Sequence, residues 1–508
     1  MDRRGRELLI TGLLIACFVL LLVDGARWFL RLDLTRSKAY SISPVSREIL
    51  RGIPEQVHVT YFLSDTLRSL SPSPGRVIDL LREYEAEARG KLVVTVLDPD
   101  RTGQGENARR LGILPQQIQV IQQNEQRTVD VYSGIAVDYL DRYTSLPAVF
   151  SPDALEYSLS FAVRKVLAGR RLVVGVVLGE PGKTLADNFD TLRTGLSRDY
   201  SLHEYLPGDP IPPEVDALLV LGGTQWGDQE LRPIDSYIAS GGKVLFAVKG
   251  LRVQTEHVLH AQPVGPSQLL DMLGSYGVGV GRELVMDTAA RDYRLPQQQP
   301  DGHIAWETIG HYPPWVSVQG PNASSRSPIT ARFTGLDLLW PVALTPRTKE
   351  GVYAEPLVTT SASAWLQKPP FVIDPYKVDQ QGPAPARFVL AMALTGKLPS
   401  WYAPTERSPT SRMVVVGDDD FLTDLMQFSD SMANVLFVEN AVLWLSGNDD
   451  LLSIKTRAGT EGRLDRIQDP AARSRLILAA EAVNVVLIPL AVLLAGVLAR
   501  LRRRERKS

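Results

Sequence analysis

Two apolar runs, one near each end of the chain, constrain its fold more than any other feature. Residues 8–23 read LLITGLLIACFVLLLV, without a charge, behind Arg3, Arg4 and Arg6. At ~1.5 Å per residue the run reaches about 24 Å, short of a ~30 Å hydrocarbon core, and Ala26, Trp28, Phe29 and Leu30 complete the crossing. Trp28 then suits the interface, and Arg27 and Arg31 reach water. VDGARW offers no small-residue cleavage site, which opposes a cleaved signal peptide. A lipobox at Leu14-Ile15-Ala16-Cys17 fits locally, but the apolar run continues beyond the cysteine. The second run, 482–499, extends back to 476 across Glu481 and is followed by Arg500, Arg502, Arg503, Arg504, Arg506 and Lys507. Its Pro489 is tolerable where neighbouring helices satisfy the freed carbonyl. Basic flanks on both runs place both termini in the cytoplasm and residues 31–475 outside it. Two spans cannot enclose a solute pathway, so such a chain does not transport alone.

Lys and Arg number 55 against 57 Asp and Glu, a balance that argues against a global nucleic-acid binder. Hydrophobic content of 44% with 22% charged residues fits a folded body. Cys17 is the one cysteine, which excludes an internal disulfide, a CxxC pair and a Cys-rich zinc site.

The body divides into two α/β units, 31–169 and 170–457, with a linker at 458–475 and tails at 1–7 and 500–508. In the first, 57–63 (VHVTYFL) and 91–97 (KLVVTVL) read as strands around a helix at 75–89. A short helix at 106–111, strands at 118–122 and 128–139 and a helix at 152–167 follow. The order βαβαββα is that of a thioredoxin-like fold, and Gly112-Ile113-Leu114-Pro115 stands where thioredoxins keep a cis proline. Ser64-Asp65-Thr66-Leu67 occupies the CxxC position, so the unit is a scaffold or binding surface without thiol chemistry.

In the second unit, apolar strands at 172–178, 217–221, 244–247 and 413–416 alternate with helices at 186–198, 229–240 and 433–445. That pattern predicts a doubly wound parallel sheet. Residues 251–411 read as a long, Pro-rich insertion.

Most motifs fail on spacing. Gly179-Glu180-Pro181-Gly182-Lys183-Thr184 ends like a phosphate loop, but position 177 is valine and Pro181 removes an amide donor. It reads as a tight strand-to-helix turn. Gly277-Val278-Gly279-Val280-Gly281 reads as a turn after a helix around 269–273. His257 and His260 could share a helix face, with no third zinc ligand nearby. Neither Val248-Lys249-Gly250 nor Gly222-Gly223-Thr224-Gln225 offers a nucleophile with a base. Asp418-Asp419-Asp420 follows a buried strand at the carboxyl edge of the sheet, where open α/β folds bind ligands. Three carboxylates suit a hard cation or hydroxylated ligand; the alternative is N-capping of a helix from Phe421. With Gly222, Gly223 and Thr224 they form the candidate ligand edge.

The whole chain resembles the GldG-like auxiliary proteins of ABC-type transport systems, first associated with gliding motility. The resemblance rests on Asp33-Leu34-Thr35 with Tyr40-Ser41-Ile42-Ser43, on Val59-Thr60-Tyr61-Phe62-Leu63-Ser64, and on Leu97-Asp98-Pro99-Asp100 and Leu155-Glu156-Tyr157. It continues through Gly241-Gly242-Lys243-Val244-Leu245, Gly417-Asp418-Asp419-Asp420-Phe421 and Asn440-Ala441-Val442-Leu443-Trp444-Leu445-Ser446-Gly447. It implies an intraflagellar-transport-like or amidotransferase-like second unit and no catalytic residues or cofactor. It also implies a bacterial inner-membrane location, a multi-span permease and a cytoplasmic ATPase as partners, and a polysaccharide or envelope protein as ligand. The expected function is a non-catalytic auxiliary subunit. The alternatives are an envelope scaffold and a divergent hydrolase or metal-dependent enzyme using Asp418 to Asp420.

Overall fold

The computed structural model describes residues 42–457, apart from 123–124, 153, 255–258, 299–303, 331, 407 and 430–431. Both apolar runs, the 458–475 linker, both tails and His257 lie outside the described residues. Among the described residues, no helix is long and apolar enough to cross a membrane.

The chain enters through α1 (Pro44–Arg51), N-capped by Ser43, whose Oγ accepts from Ser46 N at 3.0 Å. Then come β1 (Val57–Leu63), α2 (Asp65–Leu70), α3 (Ser73–Glu87), β2 (Leu92–Leu97), α4 (Pro99–Thr102) and α5 (Gly105–Arg110). The stretch ends with β3 (Gln116–Gln122), β4 (Glu125–Val131), β5 (Ser133–Tyr139), β6 (Arg142–Leu146) and α6 (Leu155–Ala168). The first sheet has the order β2-β1-β5-β6, with β1 parallel to β2 and the other pairs antiparallel. Val57, Val59 and Tyr61 of β1, Ile135 and Val137 of β5, and Leu159 and Val163 of α6 share one buried cluster.

Two expectations need correction here. The strand expected at 118–122 is present as β3, but 128–139 is two strands and not one: β4 pairs with β3 in a separate two-stranded ribbon, and β5 joins the first sheet. The break falls at Tyr132, whose N–H donates to Ser64 Oγ at 2.8 Å and whose carbonyl accepts from Ser64 N at 3.1 Å. The Leu114–Pro115 bond is trans; the cis peptide among the described residues is Pro369–Pro370.

The second sheet begins with β7 (Val173–Leu178), α7 (Leu185–Asn188), α8 (Asp190–Ser197), β8 (Ser201–Tyr205), β9 (Ala217–Leu221), α9 (Asp228–Ala239) and β10 (Val244–Ala247). The helix expected over 186–198 is thus two. Phe189 turns into the core, and Asp424 caps α8 afresh by accepting from Asp190 N at 3.0 Å and Thr191 N at 3.1 Å.

The long insertion expected over 251–411 carries strands and a helix of its own, several of them in the central sheet. These elements are β11 (Leu251–Gln254), β12 (His260–Pro263), α10 (Gln268–Tyr276), β13 (Val278–Met286), β14 (Ala290–Gln298), β15 (Ile304–Val318), β16 (Leu336–Leu339), β17 (Val342–Pro346), β18 (Val352–Thr359), β19 (Trp365–Gln367) and β20 (Val389–Gly396). The described residues end with β21 (Ser411–Val416), α11 (Ala433–Leu445) and α12 (Asp449–Arg457). The central sheet runs β19-β13-β17-β20-β21-β10-β9-β7-β8, with β18 on β20. Its β21-to-β8 half is parallel and the rest antiparallel, so the fold is mixed α/β and not a purely parallel sheet. Gly277 is the left-handed cap of α10 (φ +118°), and Val278 to Gly281 open strand β13 instead of forming a turn. His260 lies on strand β12, not on a helix.

Strand alternation explains why these runs are apolar throughout. Leu219, Leu221, Leu245, Ala247, Val414 and Val416 face a cluster shared with α8, α11 and α12. Leu218, Val220, Val244, Phe246, Met413 and Val415 face the other, shared with α9 and α10. The first sheet joins through α6, where Arg164 grips Asp450 of α12 at 2.7 and 2.5 Å and Lys455 lies 4.4 Å from the Tyr157 ring centroid.

On the second face, buried Asp235 of α9 accepts from Tyr276 Oη at 2.5 Å, Ser400 Oγ at 2.7 Å and Trp401 N at 2.8 Å. It ties α9 to α10 and to the turn before β21. Asp235→Ala strands these donors and is expected to cost about 3 kcal/mol in urea unfolding. A loss below about 1 kcal/mol would show that the turn is held by other contacts.

Candidate functional site

Strands β7, β9, β10 and β21 are parallel neighbours, so the residues following each strand meet at one edge. Beyond β21 come Gly417-Asp418-Asp419-Asp420; beyond β10, Val248-Lys249; beyond β9, Gly222-Gly223-Thr224; beyond β7, Gly179 to Lys183. The backbone closes this edge tightly. Gly179 N donates to Leu221 O at 2.6 Å, Gly222 N to Ala247 O at 2.8 Å and Val248 N to Val416 O at 3.0 Å. Gly179 must be glycine, since a Cβ there would stand 1.9 Å from Gly223 N.

Lys249 is the residue that sequence reasoning missed. Its side chain is 4% exposed, and its Nζ lies 2.9 Å from Asp419 Oδ1 and 3.7 Å from Asp418 Oδ1 and donates to Asp420 Oδ2. The Trp340 ring covers it, with the centroid at 5.6 Å. One available sequence signal was a lone lysine directly after a buried strand, at the same edge as the aspartates.

Asp418 is fully buried. Its Oδ2 accepts from Leu339 N of β16 at 2.7 Å and its Oδ1 from Asp420 N at 2.8 Å. The helix-capping expectation is corrected, because a turn follows Asp420 and the next regular element is a 3-10 helix at Asp424–Ser429. Asp418 caps no helix; it fastens β16 to the central sheet.

One oxygen from each aspartate lies within 4.8 Å of the others, a spacing a hard cation would accept. The cation standing among them is the Lys249 ammonium. Gly222 lies beside Asp419, 3.6 Å from a Cβ position to Oδ2, whereas Gly223 is packed against the Trp226 ring. Thr224 is buried, and no side-chain hydrogen bond among the described residues joins it to the carboxylates. Lys183 salt-bridges Glu180 at 2.5 Å and reaches Asp420 at 4.0 Å, so the loop at 179–184 is a turn with its lysine turned inward. The cavity left beside Asp419 and Gly222 is about 10 Å³, room for about one water.

Burial opposes every charge here, and the arrangement decides the balance. For Lys249, burial pulls the pKa down, but Asp419, Asp420 and Asp418 outweigh it and hold the ammonium well above its usual range. Burial pushes Asp418 up to about 8 and Asp419 up to about 6, against the pull of Lys249. A lysine held as ammonium is no nucleophile or base at neutral pH.

Residues 171–452 match the family described as an ABC-type uncharacterized transport system. The chain belongs to that family of auxiliary transport components. Residues 36–138 match a domain of unknown function. An uncharacterized protein of Borreliella burgdorferi is 21% identical to this chain, covering 99% of it and 100% of its own length. Among solved structures, the mmIFT52 N-terminal domain covers 54% of this chain and 97% of its own at 14% identity and TM-score 0.34. A protein described as ThuA-like from Parabacteroides merdae covers 55% and 90% at 10% identity and TM-score 0.28.

Removing the ammonium leaves three carboxylates facing one another. Lys249→Met is expected to cost about 3–5 kcal/mol at pH 8 and less at pH 5. The sign follows from the raised folded pKa values of Asp418 and Asp419. The folded state takes up protons that the unfolded chain, titrating near 4, has already released, so lower pH relieves the repulsion. Thermal unfolding of both proteins at the two pH values checks this; an equal loss at both would refute the coupling.

Proposed function

We propose that this chain is the membrane-anchored, extracytoplasmic auxiliary subunit of an ABC-type transporter, of the GldG-like kind. In this reading the apolar runs at 8–30 and 476–499 dock on a multi-span permease in the bacterial inner membrane. The ATPase works on the cytoplasmic side, and the α/β body receives substrate or an envelope partner. The observation that carries the reading is the family match over 171–452. The charge pattern around the two apolar runs supports the topology.

The site geometry bears on how such a subunit works. The edge formed by Asp418, Asp419, Asp420, Gly222, Gly223 and Thr224 acts in this proposal as a fastening for the strand ends. Its carboxylates already hold Lys249, and its cavity is too small for a solute. Binding then falls to the outer surfaces of the body. The order β2-β1-β5-β6 supports reading the first sheet as a thioredoxin-like frame, with Ser64 to Leu67 in place of a thiol pair.

Two anchors give a bivalent attachment, so losing one removes most of the avidity. Deleting 476–508 is expected to lower recovery of the permease in pull-downs from solubilised membranes by about tenfold or more. The chain itself should stay in the membrane fraction through 8–30. Unchanged permease recovery would count against the reading.

A further inference from the structure

A second cavity, remote in sequence from the carboxyl edge, lies where the first sheet meets the central one. It measures about 410 Å³ and is lined by β6, the end of α6, the link at 169–171 and the end of α8. This size falls within the range of small-ligand sites. Its charge is one-sided: Arg142, Lys165, Arg170, Arg171 and Arg198 line it, with Asp199 the carboxylate among them. In a chain whose formal net charge is −2, that is a local concentration of cations.

Three of the five cations are paired with carboxylates. Arg170 grips Asp216 through two hydrogen bonds of 2.7 and 2.8 Å and is consumed by it. Lys165 and Arg198 share Asp199, at 3.1 and 3.3 Å. Arg142 and Arg171 have no carboxylate partner among the described residues. Arg171 reaches the Ser197 carbonyl at 3.4 Å. The Arg142 guanidinium lies 5.2 Å from the Tyr139 ring centroid, and a Cβ on Gly169 would stand 2.2 Å from its Nη1. The ring on one side and the bare glycine on the other hold this fork in place. Once Asp199 and Asp216 are counted, three positive charges remain, beside Thr144, which shares a face of β6 with Arg142.

We propose that this cleft binds a compact phosphate-bearing anion, held by the guanidinium forks of Arg142 and Arg171 with Lys165 and Arg198 as supporting charges. Two unpaired forks match the oxygen geometry of phosphate, and Thr144 adds a neutral hydroxyl on the Arg142 face. Free phosphates and phospholipid headgroups share this chemistry. The inference stands on the cleft alone and goes beyond the transporter reading.

The test uses the full chain purified in a nonionic detergent, titrated calorimetrically with inorganic pyrophosphate and, separately, with dihexanoyl phosphatidic acid against dihexanoyl phosphatidylcholine. Binding of pyrophosphate that weakens with added salt is expected. It should fall about tenfold or more in R142Q/R171Q, with the unliganded melting temperature little changed. Tighter binding of the phosphatidic acid, lost in the same variant, would support the site with a headgroup as its source. If the double variant folds poorly because Arg142 packs on Tyr139, R171Q alone carries the test, since Arg171 is exposed. No binding of either probe, or equal binding by wild type and variant, overturns the proposal.

Discussion

The carboxyl edge of the central sheet depends on one buried ammonium. Four parallel strands end side by side, and three aspartates on one of the following loops would repel one another without a cation. Lys249, delivered by the neighbouring strand β10, supplies it at 2.9 Å from Asp419 and in a hydrogen bond to Asp420. A buried ammonium is costly by itself, and buried carboxylates are costly by themselves. Each is tolerable because the other is present. The same cluster reaches outward: Asp418 accepts from Leu339 N, so the three-stranded sheet of β14, β15 and β16 is tied to the strand ends.

That fastening sets the character of the body. The sheet edge where open α/β folds keep a ligand crevice is here filled by side chains. The antiparallel strands β13, β17, β18, β19 and β20 widen the sheet, and the junction with the first sheet is held by Arg164 with Asp450 and by Tyr157 under Lys455.

The legible part of the fold was the part written in continuous apolar runs. Residues 217–221 and 244–247 are apolar on both faces because both faces are covered, and local composition alone records that. The antiparallel half was not legible: β17 and β20 are short apolar stretches separated by Pro-rich connections, and their pairing depends on partners far away in the chain. The break that separates β4 from β5 was hidden for a related reason. Tyr132, the break between β4 and β5, is a good strand former, and what interrupts the strand there is a hydrogen bond from its N–H to Ser64. At the site, the aspartates were legible as unusual but their role was not. Asp-Asp-Asp before Phe421 has the local pattern of a helix cap, whereas the deciding residue, Lys249, lies 171 positions away.

The central claim is that this chain works beside a permease and an ATPase. Purifying the intact protein from its native membrane in mild detergent, and identifying its companions by mass spectrometry, tests it most directly. The account predicts a multi-span permease and an ATPase in stoichiometric amounts. Recovery of the protein alone, or with envelope proteins only, would contradict it and leave an envelope scaffold as the better description.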